Sequence, residues 1–287
     1  MNHLPYRASG RVSDSRKLSS GCMTLSGHYR HELKYMISYA DYLALRSRLR
    51  AVMPQDPHVN SDGKYQIRSI YYDNYRDKAL REKLDGIQKR EKFRIRWYND
   101  DLSFLTLEKK QKHNDLCLKI DAPIAAGELQ RILCSPGPWM MRHKESLIQE
   151  LYCKIQSQQL QPRVVVSYER EPYIYRPGNV RVTFDSQIRT SLFHPLHLPD
   201  SARSDELFRA SQTPPQSRGC SQVPLSGAKE SAPGSPLVQI RATDAPGDII
   251  LEVKYDAFLP DIIADLLQTE ELRQQAFSKY GACRRFG

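Results

Sequence analysis

Hydrophobic and polar residues alternate with a period of two through much of the chain, and this pattern predicts β-strands. The alternating segments are Gln66–Tyr72, Lys92–Tyr98, Phe104–Lys110, Leu116–Ile120, Arg163–Arg170, Val180–Asp185 and Ile249–Tyr255. A capping-box pattern at Ser38 and Asp41 precedes a helix predicted over Tyr39–Met53, and further helices are predicted around Lys144–Gln158 and Pro260–Leu272. Antiparallel strands with a few covering helices predict an α+β fold, and so many strands close most readily into a barrel.

Two regions lack this periodicity. Residues 1–26 are rich in Ser, Arg and Gly, which predicts a disordered leader. Residues from about 199 to 247 are dominated by Ser, Pro, Gln and Gly, which predicts a long disordered insertion between two ordered strands. One domain is therefore expected over residues 27–287, interrupted by the insertion at about 199–247.

The overall charge narrows the choice of partner. Lys and Arg total 43 against 33 Asp and Glu, so the formal net charge is +10. That excess favours an anionic partner, which could be nucleic acid, an anionic membrane surface or a phosphate-rich molecule. The six cysteines show no Cys-x-x-Cys spacing, so they are interpreted as reduced thiols of a cytoplasmic protein. No apolar run approaches the roughly 18 residues of a membrane span, so any membrane connection is expected through a partner protein.

The strand over Lys92–Tyr98 separates its charged side chains from its apolar ones. Its first face carries Lys92, Arg94, Arg96 and Tyr98, and its second face carries Phe93, Ile95 and Trp97. Other strands repeat the separation, and they align Glu32 with Lys34, Glu108 with Lys110, Glu252 with Lys254, and Arg181 with Asp185. Charged faces on this many strands require an explanation.

Two explanations are open. An antiparallel sheet ordinarily exposes one face to water, and each Glu could pair with a cation across the strands. Alternatively, the apolar faces pack outward under helices and the Arg-rich faces line an interior, where planar guanidinium groups suit phosphate recognition. Like charges about 4 Å apart repel by ~4 kcal/mol at an effective dielectric constant of 20, so a cationic interior is tolerable only if water, carboxylates or bound anions lie between the cations.

The carboxylates on these faces point to a metal in the second explanation. Glu32, Glu108 and Glu252 would repel a phosphate group unless a divalent cation bridged them, and oxygen ligands suit Mg²⁺ or Mn²⁺. Neither a P-loop nor a set of kinase signatures is present, so the charged strands themselves would have to bind the phosphate.

Several of these segments, taken in order, resemble the VTC domain, the polyphosphate polymerase branch of the CYTH-like triphosphate tunnel metalloenzyme superfamily. The matching stretches are RHELKYMI, YQIRSIYYDN, EKFRIRWY, LTLEKK, VVVSYEREPYIY, VRVTFD, ILEVKYD and SKY. The resemblance runs from about Arg30 to Gly287 apart from the insertion. It implies an antiparallel β-barrel tunnel, the triphosphate tunnel fold, lined with basic residues that bind triphosphate and acidic residues that hold a metal.

The resemblance also implies roles for individual residues. The implied catalytic cations are Arg94, Arg96, Lys110 and Lys254. The implied substrate-binding cations are Lys34, Arg68, Lys92, Arg170, Arg181 and Lys279. Glu252 is the leading implied metal ligand, assisted by Glu108 and Glu32. Further motif positions, expected to orient these cations or to pack, are Tyr71, Asp73, Tyr168 and Asp185. The aromatic residues considered for stacking on a nucleotide base are Tyr72, Trp97 and Tyr98, with core packing as an equal alternative for Trp97 because it faces away from the arginines.

The function that this resemblance implies is ATP-dependent polyphosphate synthesis, in which the γ-phosphate of ATP is transferred to a growing polyphosphate chain with Mn²⁺ or Mg²⁺. Two alternatives stay open: a triphosphatase or nucleoside triphosphatase of the same fold, and a non-catalytic module that binds polyphosphate or inositol phosphates and regulates a partner. A nucleic-acid partner is not expected, because no recognisable nucleic-acid-binding motif accompanies the positive charge.

Overall fold

The computed structural model describes residues 29–114, 116–192, 240–241, 249–269, 274 and 277–284. The predicted leader and most of the predicted insertion lie outside these residues. The strands of the described part are β1 (Tyr29–Ile37), β2 (Tyr65–Asp73), β3 (Lys89–Tyr98), β4 (Asp101–His113), β5 (Leu116–Ile124), β6 (Gln161–Tyr175), β7 (Val180–Leu192), β8 (Ile240–Arg241) and β9 (Ile249–Tyr255). The helices are α1 (Tyr39–Val52), α2 (Lys78–Leu84), α3 (Ala126–Cys134), α4 (Ser146–Gln158), α5 (Asp261–Leu266) and α6 (Lys279–Cys283), with short 3₁₀ helices at Pro138–Arg142 and Pro177–Asn179.

Eight of these strands form a closed antiparallel ring. Their order is β6-β2-β3-β4-β5-β1-β9-β7, and pairing of β7 with β6 completes the circuit. Closure leaves none of the eight as a free edge strand. The α+β class and the closure of antiparallel strands are therefore confirmed. Within the described ranges, no helix is long and apolar enough to cross a membrane.

The short strand β8 falls inside the predicted insertion. Thr190 of β7 pairs with Ile240, and Arg189 pairs with Arg241. These two residues of the predicted insertion are therefore paired with the sheet, and for the rest of the segment the insertion stays a prediction. A two-residue strand is too short to produce a detectable alternation, so the surrounding Ser- and Pro-rich composition dominated the sequence pattern.

The predicted helices agree with the observed helices to different degrees. The capping box before α1 is confirmed, because the Ser38 Oγ accepts a hydrogen bond from the Asp41 backbone N–H at 3.1 Å and the Ser38 N–H donates to the Asp41 carboxylate at 3.2 Å. The helix predicted around Lys144–Gln158 is α4. The helix predicted around Pro260–Leu272 ends at Leu266 in α5. Three helices had no prediction, namely α2, α3 and α6.

The apolar faces of the strands pack outward under helices. Phe93, Ile95 and Trp97 of β3 lie in one core with the buried faces of α3 and α4. A second core lies between α1, α5 and the outer faces of β7 and β9. The residues between these apolar positions therefore face the interior of the ring, because successive side chains of a strand point to opposite sides. This arrangement favours the second explanation of the charged faces.

A third apolar cluster lies inside the ring, where α6 packs against inner-face residues. It joins Tyr280 and Cys283 of α6 to Tyr71 and Tyr168 on β2 and β6. The Tyr280 hydroxyl donates to the buried Asp73 carboxylate at 2.6 Å, and Asp73 also accepts backbone N–H groups at the start of α2, including that of Ala79 at 2.9 Å. One carboxylate thus connects α6 and α2 to the ring, which explains the motif position of Asp73.

Replacing Trp97 with Ala tests the assignment of the strand faces. The Trp97 side chain is fully buried in the outer core, so we expect the free energy of unfolding to fall by about 3–5 kcal/mol, as measured by urea denaturation. Phe104→Ala is the control, because Phe104 on the neighbouring strand is 69% exposed and its removal should change stability by no more than about 0.5 kcal/mol. A Trp97→Ala protein as stable as the control would mean that the faces are reversed.

Candidate functional site

Charged side chains predicted for the site meet inside the ring from five strands and α6. Among the predicted site residues brought together there are Glu32, Lys34, Lys92, Arg94, Arg96, Glu108, Lys110, Arg170, Glu252, Lys254 and Lys279. They originate from positions as far apart in sequence as β1 and α6. Ring closure brings them together, because antiparallel pairing aligns the inner faces of neighbouring strands.

The first group of contacts is centred on Glu108. Its carboxylate accepts from Arg94 at 2.6 Å, lies 3.6 Å from Arg96 and accepts from Lys119 at 3.3 Å. Burial opposes ionisation of Glu108, but the charges of Arg94 and Arg96 outweigh it, and the pKa of the carboxyl group is held well below its usual value. Arg94 also donates to the Tyr71 hydroxyl at 2.8 Å. Glu108 therefore offsets part of the charge of two arginines at successive inward positions of β3.

The second group pairs carboxylates and ammonium groups across β1 and β9. The Lys34 Nζ lies 3.3 Å from the Glu32 carboxylate and 3.7 Å from that of Glu252. Lys110 contacts Glu32, and Lys254 contacts Glu252. Burial disfavours the charged form of Lys34, but the two carboxylates reverse this effect and raise its pKa. Two carboxylates therefore converge on a single ammonium group.

Asp185 links the second group to β6 and α6. It binds the Arg170 guanidinium group with two hydrogen bonds of 2.6 and 2.7 Å, and it lies 2.5 Å from the Lys279 Nζ. Lys279 also lies 3.8 Å from Glu252. The motif residue Asp185 therefore orients two cations, as expected. Tyr168 has a similar role, because its hydroxyl accepts from Arg96 at 3.3 Å.

Lys92 has an aromatic neighbour in place of a carboxylate. Within the described part of the chain it has no carboxylate at salt-bridge distance, and its Nζ lies 5.3 Å from the centre of the Tyr71 ring. Burial lowers the pKa of Lys92 to about 8, and Lys110, Lys34 and Arg94 add to the effect. Burial opposes ionisation of Tyr71, but Arg94, Lys92 and Arg96 together lower its pKa to about 7. A bound anion would neutralise this excess positive charge.

Four predicted roles are not supported by these positions. Arg68 lies on the outer face of β2 with Ile70 and Tyr72, and it pairs with Asp100 at 2.9 Å. This position does not support Arg68 as a phosphate ligand inside the ring, because the alternation of β2 places Ser69 and Tyr71 inward instead. Tyr72 and Trp97 are buried in the outer core and are not accessible for stacking on a nucleotide base. The fourth role is that of Glu108 as a metal ligand.

Glu108 was predicted to share a metal with Glu32 and Glu252. The described residues contain no group of three or more His, Cys, Asp or Glu side chains placed to hold a metal ion. Glu108 contacts Arg94, Arg96 and Lys119, so these contacts do not group it with Glu32 and Glu252, and its role as a metal ligand stays a prediction. Glu32 and Glu252 do fit a divalent cation, because both carboxylates converge on the Lys34 Nζ, and Mg²⁺ is often held by one or two carboxylates together with phosphate oxygens of the substrate.

Arg181 lies at the margin of this cluster. It is on the inner face of β7, where its cross-strand partner is Lys254, but its guanidinium group contacts Asp56 and its side chain is 37% exposed. Tyr98, the third aromatic residue considered for base stacking, packs edge-on against Tyr65, with ring centres 5.5 Å apart. Both residues therefore mark the boundary of the interior.

A cavity of about 480 Å³ opens beside the second group of contacts. Its charged lining comprises Glu32, Lys34, Lys83, Arg90, Glu91, Lys92, Lys110 and Lys112. Lys83, Arg90 and Lys112 were not predicted from the sequence. Arg90 and Lys112 continue the inward alternation of β3 and β4 beyond the predicted segments, so extending those strands by two residues would have identified them. Lys83 lies on α2, a helix that the hydrophobic pattern of the sequence did not predict.

Comparison with known families gives one extended match. The family model of the VTC domain matches residues 29–286, which is nearly the whole chain. No curated protein matched the sequence.

Several solved structures are similar in fold. One is a candidate adenylate cyclase from Bacillus halodurans, at 13% identity and a TM-score of 0.41, with 79% of this chain and 81% of that chain covered. Another is a conserved hypothetical protein from Pyrococcus furiosus, at 10% identity and a TM-score of 0.38, with 85% and 94% covered. A third, from Pyrococcus horikoshii, has 12% identity and a TM-score of 0.36, with 85% and 94% covered. Values this low support no functional conclusion about this chain.

The lowered pKa of Tyr71 predicts a dependence of stability on pH. Because this pKa is about 7 in the folded protein and near its usual value of 10.0 in the unfolded chain, the unfolded chain binds more protons between these values, so Tyr71 contributes stability that grows as pH rises through this window. We expect the free energy of unfolding of ligand-free protein, measured with urea at pH 7, 8 and 9, to rise less with pH in Tyr71→Phe than in the wild type. The exposed Tyr75→Phe is the control. Equal slopes for all three proteins would contradict the assignment.

Proposed function

The chain belongs to the VTC domain family, and on this premise we propose that it is a polyphosphate polymerase, which transfers the γ-phosphate of ATP to the end of a polyphosphate chain held inside the ring. The observation that carries the proposal is the convergence of arginine and lysine side chains inside a closed ring. The match to the VTC family covers nearly all of the chain that forms this ring. Hydrogen-bond donors of this kind, fixed before the substrate arrives, are what phosphoryl transfer requires.

The bonding changes balance without a protein base. A terminal oxygen of the polyphosphate chain forms a bond to the γ-phosphorus of ATP, and the bond from that phosphorus to the bridging oxygen breaks, so ADP leaves. The attacking phosphate is already anionic at neutral pH, so no side chain has to remove a proton. The contributions required of the protein are position and neutralisation of charge.

The arginines are suited to hold the phosphate groups in place. Arg94 and Arg96 lie on consecutive inward positions of β3, and each planar guanidinium group can bind two phosphate oxygens. Arg170 is fixed by the two hydrogen bonds that it donates to Asp185, so little side-chain freedom is lost when it binds phosphate. The ammonium groups of Lys34, Lys110 and Lys254 add positive charges next to these guanidinium groups.

A divalent cation such as Mn²⁺ or Mg²⁺ would, when bound, neutralise negative charge that develops on the phosphate oxygens. Glu32 and Glu252 are the residues that would hold it. Both carboxylates now contact lysines, so their binding of a cation requires Lys34 to turn toward a phosphate oxygen instead. The same carboxylates orient the lysines when no substrate is bound.

Incubation of the protein with ATP and Mn²⁺ or Mg²⁺ tests the proposal directly. We expect long polyphosphate, detected on a gel stained for this polymer, together with ADP in an amount equal to the phosphate incorporated. Release of orthophosphate without polymer would establish a hydrolase instead. Binding of polyphosphate without either product would establish a binding module.

Two glutamate variants serve as matched controls for the role of the metal. Glu252→Gln and Glu108→Gln each remove one buried negative charge that is in contact with cations, so both should lower the melting temperature. Only Glu252→Gln should raise the Mn²⁺ concentration needed for half-maximal synthesis, by more than about tenfold, because only Glu252 belongs to the proposed metal-holding pair. An equal dependence on Mn²⁺ in both variants would contradict this role of Glu252.

A further inference from the structure

The phenol of Tyr71 lies inside the ring, where cations outnumber carboxylates. Three cations occupy successive inward positions of β3, namely Lys92, Arg94 and Arg96. Within the described residues, only one carboxylate, that of Glu108, lies at salt-bridge distance from any of the three. Tyr71 on β2 is directly opposite Arg94 in the sheet, so its hydroxyl group projects into this excess of positive charge.

The Tyr71 hydroxyl group accepts a hydrogen bond but has no described acceptor for its own proton. The Arg94 Nη1 donates to the hydroxyl oxygen at 2.8 Å, and the Lys92 Nζ lies 5.3 Å from the centre of the ring. Among the described residues, no group accepts from this hydroxyl, although Tyr71 is only 2% exposed. A phenolate oxygen needs only donors, so these surroundings suit the phenolate better than the phenol.

Titratable groups on the other elements around Tyr71 do not reverse this preference. They are Lys34 of β1, Tyr168 of β6 and Tyr280 of α6. Lys34 adds a further positive charge. The Tyr280 ring stacks on the Tyr71 ring with centres 5.2 Å apart, and its hydroxyl donates to Asp73. The Tyr168 hydroxyl accepts from an arginine of β3. None of the three therefore supplies negative charge to Tyr71.

A tyrosine at this position differs from a carboxylate in how easily it loses its charge. Burial opposes ionisation of Tyr71, but the charges of Arg94, Lys92 and Arg96 outweigh burial and lower the pKa to about 7. A carboxylate among these cations would stay charged and would repel an incoming phosphate group. A phenol with a pKa near neutrality offsets positive charge in the empty ring and gives up that role at little cost.

We propose that Tyr71 is a positioning residue that changes its protonation when a phosphate chain binds. In the empty ring it is a phenolate that accepts from Arg94. When a phosphate group binds at Arg94 and Lys92, the phenolate takes up one proton from the buffer, and the hydroxyl so formed donates to a phosphate oxygen. The O–H bond of the phenol is the only bond formed within the protein. This inference rests on the proposed function, since it assumes that phosphate binds inside the ring.

Proton uptake by Tyr71 makes the affinity for phosphate depend on pH. The phosphate complex requires the protonated form, so affinity is full below the pKa of the empty ring and falls as pH rises through it. Lys92, whose pKa burial lowers to about 8, adds to the fall at higher pH. A measurement specific to the phenol is therefore needed to separate the two groups.

Ultraviolet difference spectroscopy supplies this measurement, because a phenolate has an absorbance band that a phenol lacks. Ligand-free wild type at pH 8 should show about nine-tenths of a phenolate per chain that Tyr71→Phe lacks. Saturating inorganic tripolyphosphate, added without metal, should remove most of this band from the wild type and change nothing in Tyr71→Phe. The control Tyr75→Phe removes an exposed tyrosine and should behave as the wild type does.

Calorimetry with the same probe measures the consequence for binding. Between pH 7 and pH 8.5 the dissociation constant should rise at least about threefold more in the wild type than in Tyr71→Phe, because ionisation of tripolyphosphate and of Lys92 affects both proteins. The spectral change is read on the wild type, so it decides the matter even if the variant does not fold.

Tripolyphosphate that binds the wild type without loss of the phenolate band would overturn the role of Tyr71 and leave the proposed function intact. A band of equal size in folded Tyr71→Phe would overturn it as well, since another tyrosine would then be the source. Failure of the wild type to bind tripolyphosphate at any pH would overturn the proposed function and this inference together.

Discussion

Repulsion between cations inside a closed ring is the constraint on which the rest of this structure depends. Two like charges about 4 Å apart cost ~4 kcal/mol at an effective dielectric constant of 20, and a folded domain is stable by only about 5–15 kcal/mol in total. A few uncompensated pairs would therefore unfold the protein. This explains why Arg94 lies against Glu108 and why Arg170 lies against Asp185.

These ion pairs also make the interior ready for phosphate. Apart from Lys92, the guanidinium and ammonium groups named for the interior are held near their places by a carboxylate or a tyrosine hydroxyl, so a bound phosphate chain would find most of its donors already oriented. Compensation is incomplete at Lys92 and beyond it toward the cavity, where positive charge is left over. The same incomplete compensation connects the lowered pKa of Tyr71 with the proposed binding of a polyphosphate chain.

Much of this could be predicted from the sequence, and the failures have physical causes. The faces of β3 were predictable, because large apolar and charged residues alternate strictly from Lys92 to Trp97. The face of Arg68 was not, because β2 carries apolar residues on both sides: Ile70 packs in the outer core and Tyr71 packs inside against α6. Lys279 reaches Asp185 only through the long-range docking of α6, which local periodicity cannot show, and only the family resemblance indicated it.

A crystal structure of the protein with inorganic tripolyphosphate would test the central claim most directly, namely that the cationic interior exists to hold a phosphate chain. The account predicts tripolyphosphate inside the ring, with its oxygens within about 3.2 Å of the guanidinium groups of Arg94, Arg96 and Arg170. Lys34 should have turned from Glu252 toward a phosphate oxygen. Tripolyphosphate bound only on the outer surface, with every interior ion pair unchanged, would contradict the account.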